Sequence, residues 1–389
     1  MRTGIATVPL DWGRCPRWLF ERMTRLARGI TAAIIEEFGP EELLRRLSDP
    51  VWLQSFGCVL GFDWNSSGLT VTTMGALKEA VRGQETELGF FVCGGKKVSR
   101  NTPEETKSWG ERLGWDEKKT ASLVNASRTA AKVDSALVQD GFSIYAHNLM
   151  FIGSGAWSVV QQGMNVGIQK ARRYHWLSDN VRDFCETPHS GITSDVRTTP
   201  LNLTAKESRE NKDISVDLVN EEPKTFLRDF VSIAEKADGL SRQRCLPGFA
   251  EMTPPGWGPR EMELNNVEFH WHPVAAEKFN IKRLKKTIEK AHFFQPDDFA
   301  SLLMTEGVGP KTIRAVSLVS EIIYGAKPSY EDPARYSFTV GGKDGTPYPV
   351  NREVYDRTIS VIEKGIRNSK ISQRERVEAQ RRLDKTINQ

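Results

Sequence analysis

The stretch EGVGPKTIR, residues 306–314, places two glycines, a proline and a lysine where a chain could bind an anion. Glycine permits backbone angles that other side chains forbid, so Gly307 and Gly309 can form a sharp turn. Pro310 suits the first position of a helix, because an amide proton there would have no partner within the helix. The start of a helix presents backbone N–H groups and a partial positive charge, to which Lys311 adds a full charge. Phosphate is the natural ligand, and the residues expected to hold it are Gly307, Gly309, Lys311, Thr312 and Arg314.

Two helices must position this turn. Downstream, apolar residues recur at helical spacing and predict one buried stripe, made of Ile313, Val316, Val319 and Ile323. Upstream, a second short helix is predicted from Phe299, Leu302 and Leu303. This unit resembles the helix-hairpin-helix motif of DNA repair and replication proteins, which hold the DNA backbone without reading sequence. The resemblance implies contact with DNA phosphates, and the alternative is an ordinary helical hairpin whose glycines only turn the chain.

Lys311 is also a candidate nucleophile. The stretch resembles the hairpin of bifunctional glycosylases similar to endonuclease III, in which a lysine attacks the sugar C1′ and a downstream aspartate assists. The resemblance implies that Asp332, in the segment GAKPSYEDPARYSF, is that acid and that Lys311 attacks in its neutral form. Asp332 lies in a polar turn later than the family's acid, and no four-cysteine cluster follows. Polymerases, ligases and excision nucleases have hairpins of the same sequence that only bind phosphate, so both interpretations stay open.

A second candidate site is the segment NNVEFHWHP, residues 265–273. Side chains alternate along a strand, so one face would carry two imidazoles and a carboxylate. Such a set is a candidate site for a divalent metal such as Mn²⁺, Mg²⁺ or Zn²⁺, which could activate water for phosphodiester hydrolysis. The alternative is a half-buried strand whose polar side meets solvent or DNA. The candidate ligands are Glu268, His270 and His272.

Polar and aromatic residues also gather in the N-terminal half, in the segments GFDWNSSG, AHNLM, VVQQGMN and ARRYHWL. Arginine beside aromatic residues suits contact with a nucleic-acid backbone and stacking on its bases. We therefore expect an active cleft formed by these segments. Its candidate catalytic residues are His147, His175 and Asp63, and its candidate DNA contacts are Arg172, Arg173, Gln161 and Gln162.

Charge and cysteine content restrict the class of protein. The 389 residues carry a net charge of only +4, but six basic residues stand against one acid in residues 278–290. The positive charge is therefore concentrated near the glycine turn. The five cysteines are scattered without a C-x-x-C pair, which predicts no iron–sulfur cluster and favours the reducing cytoplasm. No segment predicts a membrane span, a signal peptide or a nucleotide cofactor site.

The pattern of elements predicts a mostly helical α+β fold with a small antiparallel β region and a C-terminal helix-hairpin-helix unit. Two extended runs around Gly153-Ser154-Gly155 predict a β-hairpin. We expect an N-terminal mixed α/β domain at residues 1–186 that contains the cleft. Residues 187–223 are poor in large apolar residues and predict a polar linker, followed by a C-terminal helical domain at residues 224–389.

The whole chain resembles family 763 of domains of unknown function, found in archaea and bacteria. The segments that carry this resemblance include DPVWLQSFGCVLGFDWNSSGLT and YSFTVGGKDGTPYPVNREVYD. The resemblance implies a DNA-associated protein. We expect a cytoplasmic enzyme that repairs or processes structured or damaged DNA, either a metal-dependent nuclease or a lysine-dependent glycosylase or lyase. The alternatives are a non-catalytic DNA-binding recombination factor and an RNA-processing protein, and the sequence leaves the oligomeric state open.

Overall fold

The computed structural model describes residues 15–63, 66–96, 101–241, 279–334 and 352–387. The fold is α+β and mostly helical, with a small antiparallel sheet, as the sequence predicts. Within the described residues, no helix combines the length and the apolar character needed to cross a bilayer.

The sheet has five antiparallel strands in the order β1-β3-β4-β5-β6. They are β1 (Phe90–Lys96), β3 (Ser143–Ile152), β4 (Trp157–Asn165), β5 (Lys170–Leu177) and β6 (His189–Thr193). A separate two-residue ladder joins β2 (Val138–Gln139) to β7 (Leu201–Asn202). The predicted hairpin around Gly153-Ser154-Gly155 is confirmed, because Phe151 of β3 pairs with Trp157 of β4.

One face of the sheet packs against the N-terminal helices. They are α1 (Arg17–Phe38), α2 (Pro40–Ser48), α3 (Pro50–Leu60), α4 (Gly68–Val81) and α5 (Glu85–Leu88). Two C-terminal helices complete this layer: α13 (Arg352–Asn368) contacts α1, and α14 (Gln373–Ile387) contacts α3.

The other face packs against a second helical layer. It contains α6 (Thr102–Arg112), α7 (Glu117–Ala136), α8 (Arg209–Asn220), α9 (Pro223–Ser241), α10 (Ile281–Phe294), α11 (Phe299–Met304) and α12 (Pro310–Tyr324). Successive side chains of a strand point to opposite faces. Phe91 and Phe151 therefore join the core under α7, whereas Phe90 and Ile152 join the core under α1–α4. The sheet is buried on both sides.

The segment expected as a polar linker, residues 187–223, contributes to the sheet and to the second helical layer. It contains strands β6 and β7 and helix α8. Val216 and Val219 of α8 reach the core, and so does the polar Asn211, whose amide donates to the carbonyls of Ser317 and Ala326 at 3.0 and 2.7 Å. The expectation was wrong here because polar side chains take part in the core of this protein. The division of the chain into domains stays a prediction.

Candidate functional site

The glycine turn lies between α11 and α12, where the sequence predicts it. Gly307 has a φ of +91°, in the left-handed region that favours glycine, and Val308 beside it is buried. Gly309 is the residue immediately before α12, and Pro310 is the first residue of that helix. Lys311 is exposed at the second position of α12, whereas Thr312 behind it is buried. We call residues 305–311 the α12 turn.

The start of α12 differs from the starts of four other helices. In each of these four helices, a polar side chain just before the helix accepts a hydrogen bond from a backbone N–H of the first turn. The capping residues are Asp49 for α3, Asp116 for α7, Asn280 for α10 and Asp298 for α11. Gly309 has no side chain with which to do this for α12, and the first turn of α12 contains no acidic residue. Helix α2 also begins Gly-Pro, but Glu41 and Glu42 follow and place negative charge at its start. The start of α12 thus combines a glycine cap with a cation.

Helix α7 and the residues after it hold the α12 turn from one side. The Lys132 ammonium donates to the Thr305 carbonyl at 3.2 Å, and burial lowers the pKa of Lys132. The Gln139 amide donates to the Pro310 carbonyl at 2.9 Å. Arg314, expected in the phosphate site, donates to the Gln139 side chain. In this structure Arg314 therefore helps to fix the turn.

Helix α10 borders the other side of the turn and carries several exposed basic side chains. A Cβ atom on Gly307 would lie 3.6 Å from Thr287 Oγ1, so the turn packs directly on α10. Lys290 of α10 forms an ion pair with Glu306, which balances the charge of the one acid next to the turn glycines. The exposed basic side chains of α10 include Lys282, Arg283, Lys285 and Lys286.

The polar residues predicted to form a cleft are instead buried within the sheet. All of them except Asp63 expose less than 5% of their surface: His147, Gln161, Gln162, Arg172, Arg173 and His175. Asp63 is exposed after the end of α3. Successive side chains of a strand point to opposite faces of the sheet, so these residues divide into two groups. The α7 face carries His147, Gln161 and Arg172. The face toward the N-terminal helices carries Gln162, Arg173 and His175. The expectation of one open cleft was therefore wrong.

On the α7 face, a chain of hydrogen bonds connects α7 to four strands. His147 bonds to Ser127 Oγ through Nε2 at 2.8 Å and to Gln161 Oε1 through Nδ1 at 2.9 Å. The Gln161 amide donates to the carboxylate of Asp134, which also accepts from His189 Nε2 at 2.5 Å and from Trp176 Nε1 at 3.0 Å. Burial lowers the pKa of His147 and so favours a neutral imidazole. Ser127 and Asp134 were not predicted from the sequence, although polar residues within the apolar stripe of α7 indicate a buried network.

Arg172 stands at the centre of a second network on the same face. Its guanidinium donates to Asp140 Oδ2 at 2.8 Å, to both Asp332 oxygens at 3.1 and 2.8 Å, and to the Val196 carbonyl at 2.9 Å. Tyr174 donates its hydroxyl proton to Asp140 at 2.7 Å. Burial raises the pKa of the Asp140 carboxyl, and the Arg172 charge and the Tyr174 hydroxyl oppose that shift. The ion pairs are buried, since the side chains of Arg172 and Asp140 are 0% exposed.

Asp332, the predicted partner of Lys311 in lyase chemistry, has a structural role in this network. Besides Arg172, its carboxylate accepts the backbone N–H of Thr198 at 2.7 Å and that of Ala334 at 2.9 Å. These contacts use the acceptor positions of both carboxylate oxygens. In this structure Asp332 anchors the segment after α12, and its role as catalytic acid stays a prediction from the sequence.

On the opposite face, Arg173 donates to Gln54 Oε1 at 2.9 Å and to Thr70 Oγ1 at 3.2 Å. Gln162 donates to the Ser67 carbonyl at 2.8 Å. Burial, together with the charge of Arg173, lowers the pKa of His175 well below its usual value, so this imidazole is neutral near pH 7. These side chains connect the sheet to α3 and α4 and do not reach the surface.

The predicted metal ligands Glu268, His270 and His272 lie outside the described residues. Among the residues that are described, no group of three His, Cys, Asp or Glu side chains has the arrangement of a metal site. The metal site stays a prediction from the sequence.

We expect Arg172→Met to lower the free energy of unfolding by about 3–5 kcal/mol, because it leaves the buried carboxylates Asp140 and Asp332 without their cation. Arg374→Met is the control, since Arg374 is 88% exposed and pairs with Glu378 on the surface of α14. It should leave the unfolding midpoint nearly unchanged. Urea unfolding monitored by tryptophan fluorescence measures both. Equal midpoints for the two variants would show that the Arg172 network does not stabilise the fold.

Stability should fall as the pH drops below about 6.5. The folded-state pKa values of His147 and His175 are depressed, so the unfolded chain takes up protons that the folded chain does not. Each histidine then contributes a loss of up to about 1.4 kcal/mol per pH unit. His175→Asn should make the slope between pH 7.5 and 5.5 shallower by about half a proton on average, because the unfolded-state pKa of about 6.5 lies at the centre of that range. An unchanged slope, measured by urea unfolding at several pH values, would contradict the buried neutral state of His175.

Comparison with known proteins identifies the family. The model of the family described as "Protein of unknown function (DUF763)" matches residues 4–350. A search of the curated proteins found no match, and a search of the solved structures found none either. The matched range covers most of the chain and includes the sheet, the buried networks and the α12 turn. The chain therefore belongs to the DUF763 family, as its resemblance to family 763 implies.

Proposed function

We propose that the protein binds DNA by its phosphate backbone, without reading base sequence, at the α12 turn. The observation that carries the proposal is the start of α12, where a glycine cap and an exposed lysine replace the capping carboxylates and amides of other helices. Backbone N–H groups at a helix start, together with the helix dipole, attract an anion. In this proposal the unit of α11, turn and α12 acts as a helix-hairpin-helix.

The surroundings of the turn favour a long polyanion over a small one. The turn lies on the surface against α10, whose exposed basic side chains continue the positive charge away from it. A free phosphate would contact the turn alone, whereas a nucleic-acid strand would contact the turn and α10 together. Neutralising several phosphates releases counterions, which gives most of the affinity of sequence-independent binding.

The buried networks support the turn in this proposal and do not contact DNA. Lys132 and Gln139 hold the carbonyls of Thr305 and Pro310, and Arg172 and Asp332 fix the segment that follows α12. Metal-dependent cleavage and lyase chemistry stay predictions from the sequence. A DNA partner also implies residence in the cytoplasm, in agreement with the cysteine pattern.

The test compares two helices that begin with the same three residues. Helix α12 begins Pro310-Lys311-Thr312 after the glycine turn, and α9 begins Pro223-Lys224-Thr225 without one. Lys311→Ala should lower the affinity for DNA duplexes by about tenfold, because it removes one charged contact to a phosphate. Since that contact does not depend on the bases, duplexes of unrelated sequence should all lose affinity by the same factor. Lys224→Ala, which changes an exposed lysine paired with Glu222, should have little effect. Fluorescence anisotropy at fixed salt measures both.

Gly309→Val tests whether a DNA phosphate comes into contact with the backbone of the α12 turn. Gly309 has extended backbone angles, with φ −148° and ψ −171°, and a Cβ there would meet no heavy atom of the described residues within 4 Å. The variant should therefore fold normally and block the space in front of the turn. The proposal would be contradicted if the folded Gly309→Val and Lys311→Ala variants bound DNA with the affinity of the wild type. It would also be contradicted if the wild type bound RNA of the same sequence but not DNA.

A further inference from the structure

Helix α10 ends in two exposed aromatic side chains. Phe293 is 80% exposed and Phe294 is 58% exposed, and their rings meet edge to face with centroids 5.5 Å apart. An exposed cluster of large apolar side chains is a common sign of a binding surface. The next residue, Gln295, has a φ of +44° and ends the helix, so the two rings lie in its last turn.

The rings follow the lysines of α10, one of which contacts the α12 turn. Lys282, Lys286, Lys290 and Phe293 are spaced i, i+4, i+8 and i+11, so they follow one another along one face of the helix. Lys290 is the residue that pairs with Glu306 beside the turn glycines. At about 1.5 Å per residue, Phe293 lies about 5 Å further along the helix axis than Lys290. A strand whose phosphate occupies the turn can therefore bring a neighbouring base onto the rings.

We propose that Phe293 and Phe294 stack on unpaired bases, so the preferred substrate is DNA that contains a single-stranded part. This inference rests on the proposed function. Aromatic side chains gain stacking energy from any base, whatever its identity, which agrees with binding that does not read sequence. In an intact duplex the bases already stack on one another, so the rings gain contacts there only by disrupting the helix. The lysines of α10 supply the charge that attracts the backbone of the same strand.

The experiment measures the affinity of Phe293→Ala/Phe294→Ala for a single strand, for the duplex of the same sequence, and for that duplex with a single-stranded tail. The double variant should lose at least about fivefold in affinity for the single strand and the tailed duplex, and less than about twofold for the blunt duplex. The control is Trp18→Ala, which removes an aromatic residue that is 59% exposed on α1, and it should bind all three like the wild type. Quenching of 2-aminopurine placed in the tail reports stacking directly and should disappear in the double variant only.

Other outcomes overturn the inference. Equal losses for all three DNAs, or no loss for any, would show that the rings do not stack on unpaired bases. A change from dimer to monomer in light scattering, with DNA affinity unchanged, would assign the rings to contact between two copies of the chain. If Lys311→Ala weakens binding while the double phenylalanine variant does not, the stacking surface fails and the phosphate site stands. If the wild type binds none of the DNAs, both fail.

Discussion

A buried arginine holds together parts of the chain that lie far apart in sequence. Arg172 of β5 has a side chain that is 0% exposed, and it is balanced by Asp140 after β2 and by Asp332 after α12. A buried charge costs several kcal/mol of desolvation unless well-placed opposite charges surround it, so the pairs are stable only in the correct geometry. Through Asp332, whose carboxylate also accepts from Thr198, the segment after α12 is tied to the sheet.

The position of the α12 turn follows from this constraint and from its neighbours. The Asn211 amide donates to the carbonyl of Ser317 in the middle of α12 and to that of Ala326 just after it, and Gln139 fixes the start of the helix. The turn therefore has a defined geometry before any ligand arrives, which lowers the entropy that binding must overcome. Among the described residues, the polar side chains predicted to form the cleft are buried apart from Asp63, whereas Lys311, several lysines of α10 and two phenylalanine rings are exposed.

The sequence predicted the local features of the turn but not its long-range contacts. Gly-Val-Gly-Pro-Lys-Thr located the turn and the start of α12. Of the predicted buried stripe, Ile313, Val316 and Val319 are 0% exposed and Ile323 is partly buried. These features depend on a few consecutive residues and on helical periodicity. The Arg172–Asp332 contact joins residues 160 positions apart, and no local pattern indicates it. Arg172 and Arg173 looked like one basic cluster, but alternation along β5 sends them to opposite faces of the sheet.

The most direct test of phosphate binding at the α12 turn is amide hydrogen exchange with and without DNA. The account predicts slower exchange at the amides of Gly309, Lys311 and Thr312 when DNA is added, because a phosphate would accept hydrogen bonds from the start of the helix. The start of α2, which shares the Gly-Pro sequence but carries Glu41 and Glu42, serves as the internal control and should exchange at the same rate in both samples. Protection that appears elsewhere in the chain, with residues 305–313 unchanged, would contradict the account.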